Sequence, residues 1–335
     1  MNKSTFYVFN PGKISRKENT IYYQQYDEDG HIIRKKVLPI EAIENLYVFG
    51  SLDANSSFYN FLGKRKINVH FFDYYEHYTG SFMAKEYLQA GKMLVNQTLH
   101  YHENKKRIVI AQKFIDGAIA NMIKNLRYYE NRGQDLIGLI EKLEIFRDKV
   151  FLTQQIDELM GIEGNARQHY YFAFDVIIKK YDMNGRTKQS PQNEVNALVS
   201  FGNMLCYTLC LDQIYHTQLN PTISFLHEPG VRRFSLALDI AEIFKPILVD
   251  KLVFSLLNKG TLKANHFDKH ENLCLLKDNG KKIFLKEWED KLKTTIKHRK
   301  LNRNVSYKRL VRLECYKLSK HLLGIEEYEP FKMWW

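Results

Sequence analysis

The feature that most constrains the fold is a change of hydrophobic period near Thr79-Gly80. Before it, β-branched and aromatic residues come in short runs parted by turn residues: FYVF, KENTIYYQQY, HIIRKKVLPI, IENLYVFG and INVHFFDYY. The DEDG segment between the second and third runs carries the Asp-Gly step of a hairpin. One short helix is predicted in this stretch, DANSSFYNFLGKR at 53–65, opened by Asp53 or Ser57. After Gly80 the period becomes helical. In RIVIAQKFIDGAIANMIKNLRYY (107–129), Ile108, Ala111, Ile115, Ile119, Met122 and Leu126 recur at three- and four-residue steps. Similar periods cover 135–160, 163–180, 194–215, 235–258 and roughly 285–323. The pattern predicts an α+β protein: a small N-terminal β domain over 1–85, then a large all-helical domain over 86–335.

With 44% hydrophobic residues such a chain buries a core, so a disordered tail is excluded. Its net charge of +12 is unevenly placed. Residues 259–335 hold 19 Lys/Arg against 10 Asp/Glu, whereas 1–90 hold 11 against 10 and 91–258 hold 20 against 18. A basic stretch attracts polyanions because each neutralised phosphate releases condensed counterions. The same lysines also fit a merely solvated helix face. Trp288, Tyr307 and Tyr316, interleaved with the cations, offer rings on which bases stack. Cys206, Cys210, Cys274 and Cys315 form no CxxC pair and no zinc spacing, and read as buried thiols of a reducing compartment. No signal peptide is expected, and no window reaches the roughly 18 uninterrupted apolar residues of a membrane span, so a cytoplasmic protein is expected.

Two segments 60 residues apart carry the candidate chemistry: GIEGNARQHYYFAF at 161–174 and SFLHEPGVRRFSLALDIAEIFKP at 224–246. Asp239 and Glu242, three apart in a helix opened by Ser235, share one face amid Leu236, Leu238, Ile240, Ile243 and Phe244. Acids among such neighbours are costly unless a cation or donor meets them. A salt-bridged face, with Arg232, Arg233 or Lys245 as partner, fits the same pattern. His227, before Pro229-Gly230, falls in the loop ahead of that helix and can fold back toward it. Glu163, between Gly161 and Gly164, is expected to open its helix, where small neighbours admit a bulky backbone such as DNA. Plain capping by a glutamate is the alternative there. Together these residues offer oxygen ligands and one nitrogen, a set suited to Mn²⁺ or Mg²⁺. Such an ion stabilises charge on a phosphoryl oxygen during in-line displacement.

These two segments, with NEVNALVSFGNMLCYT, TQLNPTISFLHEPGVRRFSLALDIAEIFKP and TTIKHRKLNRNVSYKRLVRLECYKL, closely resemble the CRISPR adaptation integrase family, Cas1, of the type I-B kind. The resemblance covers the whole chain, including GSLDANSSFYNFL in the β region. It implies a homodimer formed through the β domains and a metal-dependent DNA endonuclease and integrase. It also implies a heterocomplex with a smaller partner, Cas2, and double-stranded DNA as substrate, both as captured fragments and as the CRISPR repeat. The reaction implied is transesterification, in which a fragment's 3′-hydroxyl attacks a phosphodiester at the repeat edge. Phosphodiester hydrolysis would use the same site with water.

The family's metal ligands fall on Glu163, His227 and Glu242, the last of which is aspartate in many members. Asp239 takes a supporting role. Arg167 and Lys245 are placed for phosphates or for salt bridges, and Arg232 and Arg233 for DNA. Lys297, Arg299, Lys300, Arg303, Lys308, Arg309 and Arg312 form the densest cationic run, expected on the DNA backbone rather than on bases. Where many relatives carry a lysine inside the helix after the β domain, this chain reads Asp116-Gly117-Ala118-Ile119-Ala120-Asn121, so a cation's role there is in doubt. Two other functions remain open: a general metal-dependent nuclease on branched or repair DNA, and a non-catalytic DNA-binding scaffold.

Overall fold

The computed structural model describes every residue except 1, 2, 28, 74, 85–87, 89, 188, 189, 232, 233 and 335. The protein is α+β and divides into two units, residues 1–87 and 88–335.

In the first unit the strands are β1 (Ser4–Val8), β2 (Gly12–Lys17), β3 (Thr20–Tyr26), β4 (Ile32–Pro39), β5 (Ile43–Val48), β6 (Leu52–Asp53), β7 (Asn68–Phe72) and β8 (Tyr78–Phe82). One four-stranded sheet has the order β1-β5-β7-β8, parallel across the first three strands and antiparallel at β8. The other, β4-β3-β2-β6, is an antiparallel meander with β6 added parallel to β2. Strand β3 buries every second residue, so Ile21 and Tyr23 join Ile14, Leu46, Val48, Leu62 and Val69 in one core. Helix α1 (Ser56–Lys64) is capped by Asn55, whose side chain accepts the Phe58 amide at 3.0 Å. Neither Asp53 nor Ser57 opens it. Strand β8 runs through Gly80, so the change of period at Thr79-Gly80 falls inside the last strand of this unit.

The second unit is built on α2 (Gly91–His102), α3 (Asn104–Glu130), α4 (Ile137–Val150), α5 (Ile156–Ile177), α6 (Glu194–Tyr215), α7 (Ser235–Lys245) and α8 (Lys251–Asn258). Two hairpins, β9–β10 (Phe267–His270, Leu273–Leu276) and β11–β12 (Thr295–His298, Arg303–Ser306), alternate with α9 (Asp278–Lys293) and α10 (Tyr307–Leu322). The helical run expected over 285–323 is therefore broken at 294–306 by a hairpin. Helix α6 is long and apolar enough to cross a membrane by length and composition, but 78% of that stretch is buried in the fold, where it serves as a core helix. All four cysteines are buried with free thiols.

Helix α7 positions the site. Leu236, Ala237, Ile240, Ala241, Ile243 and Phe244 are completely buried, and α3 and α6 pack on it. Pro246 has no N–H to donate, and the chain continues through a π-helical turn, Pro246–Asp250, into α8. Backbone carbonyls around this break are met from α3. Asn121 Nδ2 donates to Ile243 O at 3.0 Å and Asn125 Nδ2 to Pro246 O at 2.6 Å, one helical turn apart. Asp116, one turn earlier on α3, is buried and paired with Arg147 at 2.7 Å and Lys332 at 2.5 Å.

Candidate active site

The loop before α7 has no regular structure, so its backbone polar groups need partners from elsewhere. Gln97 of α2, fully buried, donates to Asn220 O at 2.9 Å and Ile223 O at 2.7 Å and accepts the Asn220 amide at 2.9 Å. Arg107 of α3 donates to Phe225 O at 2.8 Å and pairs with Glu228 at 2.6 Å, while Tyr101 donates to the same carboxylate at 2.8 Å. Ser235 donates to Thr222 O at 2.9 Å and does not cap α7, which starts after Phe234 without a side-chain cap.

Asp239 completes the clamp. With no exposure at all, its carboxylate accepts the amides of Phe225 at 2.7 Å, Leu226 at 3.0 Å and His227 at 3.0 Å, and meets His227 Nδ1 at 2.8 Å. With the Nδ1 proton engaged by Asp239, the neutral ring carries its lone pair on Nε2, turned away from the aspartate. One acid thus fixes both the path of the loop and the tautomer of the imidazole, as outer carboxylates do for metal-binding histidines.

One turn later on α7, Glu242 is surrounded differently. Arg167 of α5 donates to its Oε2, and Lys245 Nζ lies 2.5 Å from its Oε1. Burial alone would raise this carboxyl, but Arg167, Lys245 and the nearby His227 overcome it and hold the group down at about 2. Arg167 Nε also reaches Glu163 Oε1 at 3.2 Å, so one guanidinium bridges acids from two helices. Glu163 lies in the second turn of α5, not at its start. Gly161 and Gly164 are helical, and a Cβ added to either would meet nothing within 4 Å, which leaves the surface beside Glu163 open.

Asp250, in the π-helical turn, was not singled out from the sequence. It is buried, and burial pushes its carboxyl up to about 7 against the pull of Arg167, the Tyr170 hydroxyl and Lys245. Its Oδ2 makes no hydrogen bond. The signal for it was a lone acid in the apolar run FKPILVDKLVF. Arg107 and Gln97 were missed as well, and no local pattern marks them.

Arg167 joins Glu163 to Glu242, Lys245 pairs with Glu242, and Asp239 holds His227, but the donor atoms of Glu163, His227 and Glu242 do not all lie within 4.8 Å of one another. Among the described residues, the group of three potential metal ligands with donor atoms within 4.8 Å of one another is Asp27, Asp29 and His31, exposed at the β3–β4 turn. The chemistry of the other set nevertheless fits a hard divalent ion. Two carboxylates already converge on one cation, and an imidazole with its Nδ1 engaged is held by Asp239, one turn before Glu242 on the same helix.

The cationic run is dispersed. Lys297 and Arg303 are exposed on the β11–β12 hairpin, Arg299 lies over the Trp334 ring at 5.3 Å, and Lys300 pairs with Glu326 at 3.2 Å. Lys308, Arg309 and Arg312 lie on α10, Arg309 5.7 Å from the Tyr316 ring and Arg312 bonded to Gln213 at 2.8 Å. Trp288 and Tyr307 are buried core residues and cannot stack on bases, whereas Tyr316 is 37% exposed. Arg232 and Arg233 lie outside the described residues.

A buried helix that sets a clamped histidine and ion-paired acids together belongs to a class of sites suited to a divalent cation. The profile of the family described as CRISPR associated protein Cas1 matches residues 6–290. The chain is 46% identical over 335 residues to the CRISPR-associated endonuclease Cas1 of Clostridium perfringens, covering 98% of this chain and 99% of that protein. A solved Cas1 protein from Thermotoga maritima superposes with a TM-score of 0.86 at 37% identity, covering 98% of this chain and all of that one. A casposase bound to integration product gives a TM-score of 0.86 at 19% identity, over 99% of this chain and 93% of that one, a likeness of fold alone. The chain belongs to the Cas1 family.

Proposed function

We propose that this protein is the metal-dependent DNA endonuclease and integrase of CRISPR adaptation, joining short DNA fragments to the repeat by attack of a fragment 3′-hydroxyl on a phosphodiester. The observation that carries the proposal is the pairing, in a Cas1 chain, of an imidazole fixed by a buried aspartate with two acids that share one cation. Glu163, His227 Nε2 and Glu242 would hold Mg²⁺ or Mn²⁺. Held there, the ion would supply Lewis-acid stabilisation of charge on the phosphoryl oxygen and favour deprotonation of the attacking hydroxyl. Asp239 keeps His227 in the ligand-ready tautomer, and Glu242 stays ionised across the physiological range because cations surround it. With water as nucleophile, the same residues support hydrolysis.

Duplex DNA, a second copy of the chain and Cas2 are the proposed partners, and the cytoplasm the proposed location. Lys297, Arg299, Lys300, Arg303, Lys308, Arg309 and Arg312, with Arg232 and Arg233, are the proposed backbone contacts. Of these, Lys297, Arg299, Lys300 and Arg303 are exposed on the β11–β12 hairpin. Arg167 and Lys245 reach phosphate only by leaving Glu242.

The test is joining of a 3′-hydroxyl fragment to a repeat-containing plasmid with Mn²⁺ and Cas2. Glu163→Gln and His227→Ala should each lower joining on the order of 10²-fold or more. Wild-type joining by His227→Ala would overturn the reading, and cleavage without joining at any Cas2 concentration would favour a general nuclease.

A further inference from the structure

The last residues of the chain are fastened to the helix that carries Asp239 and Glu242. Residues 328–334 have no regular secondary structure, yet Tyr328, Phe331 and Met333 are buried. The strip of α3 from Asp116 to Asn121 receives them. Asp116 pairs with Lys332 at 2.5 Å, and a Cβ added at Gly117 would fall 2.7 Å from Pro330 and 3.5 Å from Ile243 of α7. Asn121 Nδ2 donates to Ile243 O and to Phe331 O, each at 3.0 Å, and its Oδ1 accepts the Met333 amide at 2.8 Å. One side chain therefore holds the tail and the active-site helix together. Glu314 of α10 accepts the Phe331 amide at 3.0 Å and the Tyr328 hydroxyl at 2.6 Å. The same tail reaches the basic hairpin. Phe331 stacks on Phe244, two residues after Glu242, with 5.8 Å between centroids and 16° between planes. The Trp334 ring meets Phe331 edge-on at 5.6 Å and His298 edge-on at 5.9 Å, and the Arg299 guanidinium lies over it at 5.3 Å.

We infer that Trp334 is a positioning residue for DNA: its ring sets Arg299 for a backbone phosphate and, through Phe331 and Phe244, ties that contact to the helix carrying Glu242. Arg299 stays exposed in this arrangement. A guanidinium held by its face keeps its edge N–H groups available to a phosphate, and a side chain already held in place loses less freedom on binding. A tie made of packed rings is short and stiff, so a duplex gripped at the hairpin is held at a fixed offset from the acids of α7. Trp334 is not what keeps the tail down. Asn121, Asp116 and Glu314 do that without it.

The inference rests on the hairpin contact and the integrase reading proposed above, and the experiment keeps them apart. Binding of a fluorescently labelled repeat duplex to the full-length protein is followed by anisotropy, without metal and without reference to activity. Arg299→Ala and Trp334→Ala should each weaken it about two- to five-fold. The double variant should be no weaker than Arg299→Ala alone, since without the arginine the ring has nothing to set. Trp334→Tyr, which keeps a ring, should stay within about two-fold of wild type. Joining with Mn²⁺ and Cas2 at saturating DNA should fall about five-fold or more in Trp334→Ala, a loss that affinity alone does not produce.

Losses that multiply in the double variant mean that the ring acts apart from Arg299, and they overturn the inference while leaving the hairpin contact intact. A wild-type joining rate at saturating DNA in Trp334→Ala also overturns it, because the tie to α7 would then carry nothing. Wild-type duplex affinity in Arg299→Ala and in Lys297→Ala with Arg303→Ala overturns the hairpin contact itself, and the inference with it. If the wild-type protein cleaves without joining, the integrase reading fails, and the same comparison is made on the cleavage rate at saturating DNA. The unfolding temperature of Trp334→Ala should stay within a few degrees of wild type, since the anchors of the tail remain. Should that variant not fold, Trp334→Leu keeps an apolar contact with Phe331 and removes the π face. It should show the same losses, and wild-type binding there overturns the inference.

Discussion

Helix α7 holds two acids one turn apart in opposite kinds of surroundings. Asp239, the earlier of the two, is enclosed by three backbone amides, which cannot leave without the chain moving, and by an imidazole. At the C-terminal end Glu242 is held by the tips of two long side chains, which can swing away. The first acid is built into the backbone and the second is only neutralised. Hydrogen bonds from fixed amides make a positioning group, while ion pairs with flexible cations make a group able to exchange partners.

The largest expected effect tests that division directly. Asp239→Asn turns an amide N–H₂ toward a cluster of donors and leaves them unsatisfied, at about 3–5 kcal/mol. Thermal unfolding should fall by about 10 °C or more, with joining lost alongside. His227→Ala leaves the three amides on Asp239 in place. Its unfolding temperature should stay within a few degrees of wild type, about 1 kcal/mol, while joining collapses. If both variants lose stability equally, the backbone amides are not what holds Asp239 in place.

Next in size is the pH dependence of stability, because the buried acids near Arg167 shift in opposite directions. The Glu242 carboxyl is lowered from 4.5 to about 2, so its contribution is complete above 4.5 and is lost as pH falls toward 2. Asp250 is raised from 3.8 to about 7, so the folded state holds its proton more tightly than the unfolded chain. Stability from this group is complete below 3.8 and drains away as pH rises through 7. Asp250→Asn should therefore gain on wild type between pH 5 and 8 by about 2 kcal/mol, read as a divergence of unfolding temperatures. A constant offset across that range would mean that Asp250 is not buried against its charge.

What could be read beforehand followed the range of each interaction. Strands β1, β3, β4, β5 and β7 and helices α3, α6 and α7 were legible because their apolar period is local, whereas the polar β2, the two-residue β6 and β8 carry no such run. Glu163, His227, Asp239 and Glu242 were legible as residue types able to meet. That Asp239 clamps a loop and Glu242 binds cations was not, since Arg107 acts over 118 residues and Arg167 over 75. Helix α5 starts at Ile156, ahead of the glycines that suggest a boundary near 163, because each glycine costs a helix only about 1 kcal/mol and the preceding IDELM turn absorbs it. The β11–β12 hairpin was hidden for a different reason. Lys297, Arg299, Lys300 and Arg303 are long, exposed and compatible with either period, so only Val305 and the half-buried Ile296 mark the strands.

That hairpin supplies a smaller effect. Lys297→Ala with Arg303→Ala should weaken binding to all duplexes alike, by a few-fold at moderate salt, and reduce the salt slope by about one unit for each phosphate lost. Loss on a single DNA sequence only would mean that these side chains read bases, unlike the backbone contact argued for them.

The smallest effect concerns the glycines beside Glu163. An exposed helical glycine changed to alanine stabilises by about 0.5–1 kcal/mol, since the unfolded chain loses freedom and no neighbour stands within reach of the new methyl. Gly164→Ala should raise the unfolding temperature by about 1–2 °C on that account alone. The stability forgone in the native sequence then has a purpose only if something outside the folded chain approaches that surface. A DNA backbone drawn to Glu163 would meet the added methyl, so the more stable variant should join fragments several-fold more slowly while its Mn²⁺ affinity is unchanged. If Gly164→Ala is both more stable and fully active, the open face of α5 is not where the phosphodiester comes in.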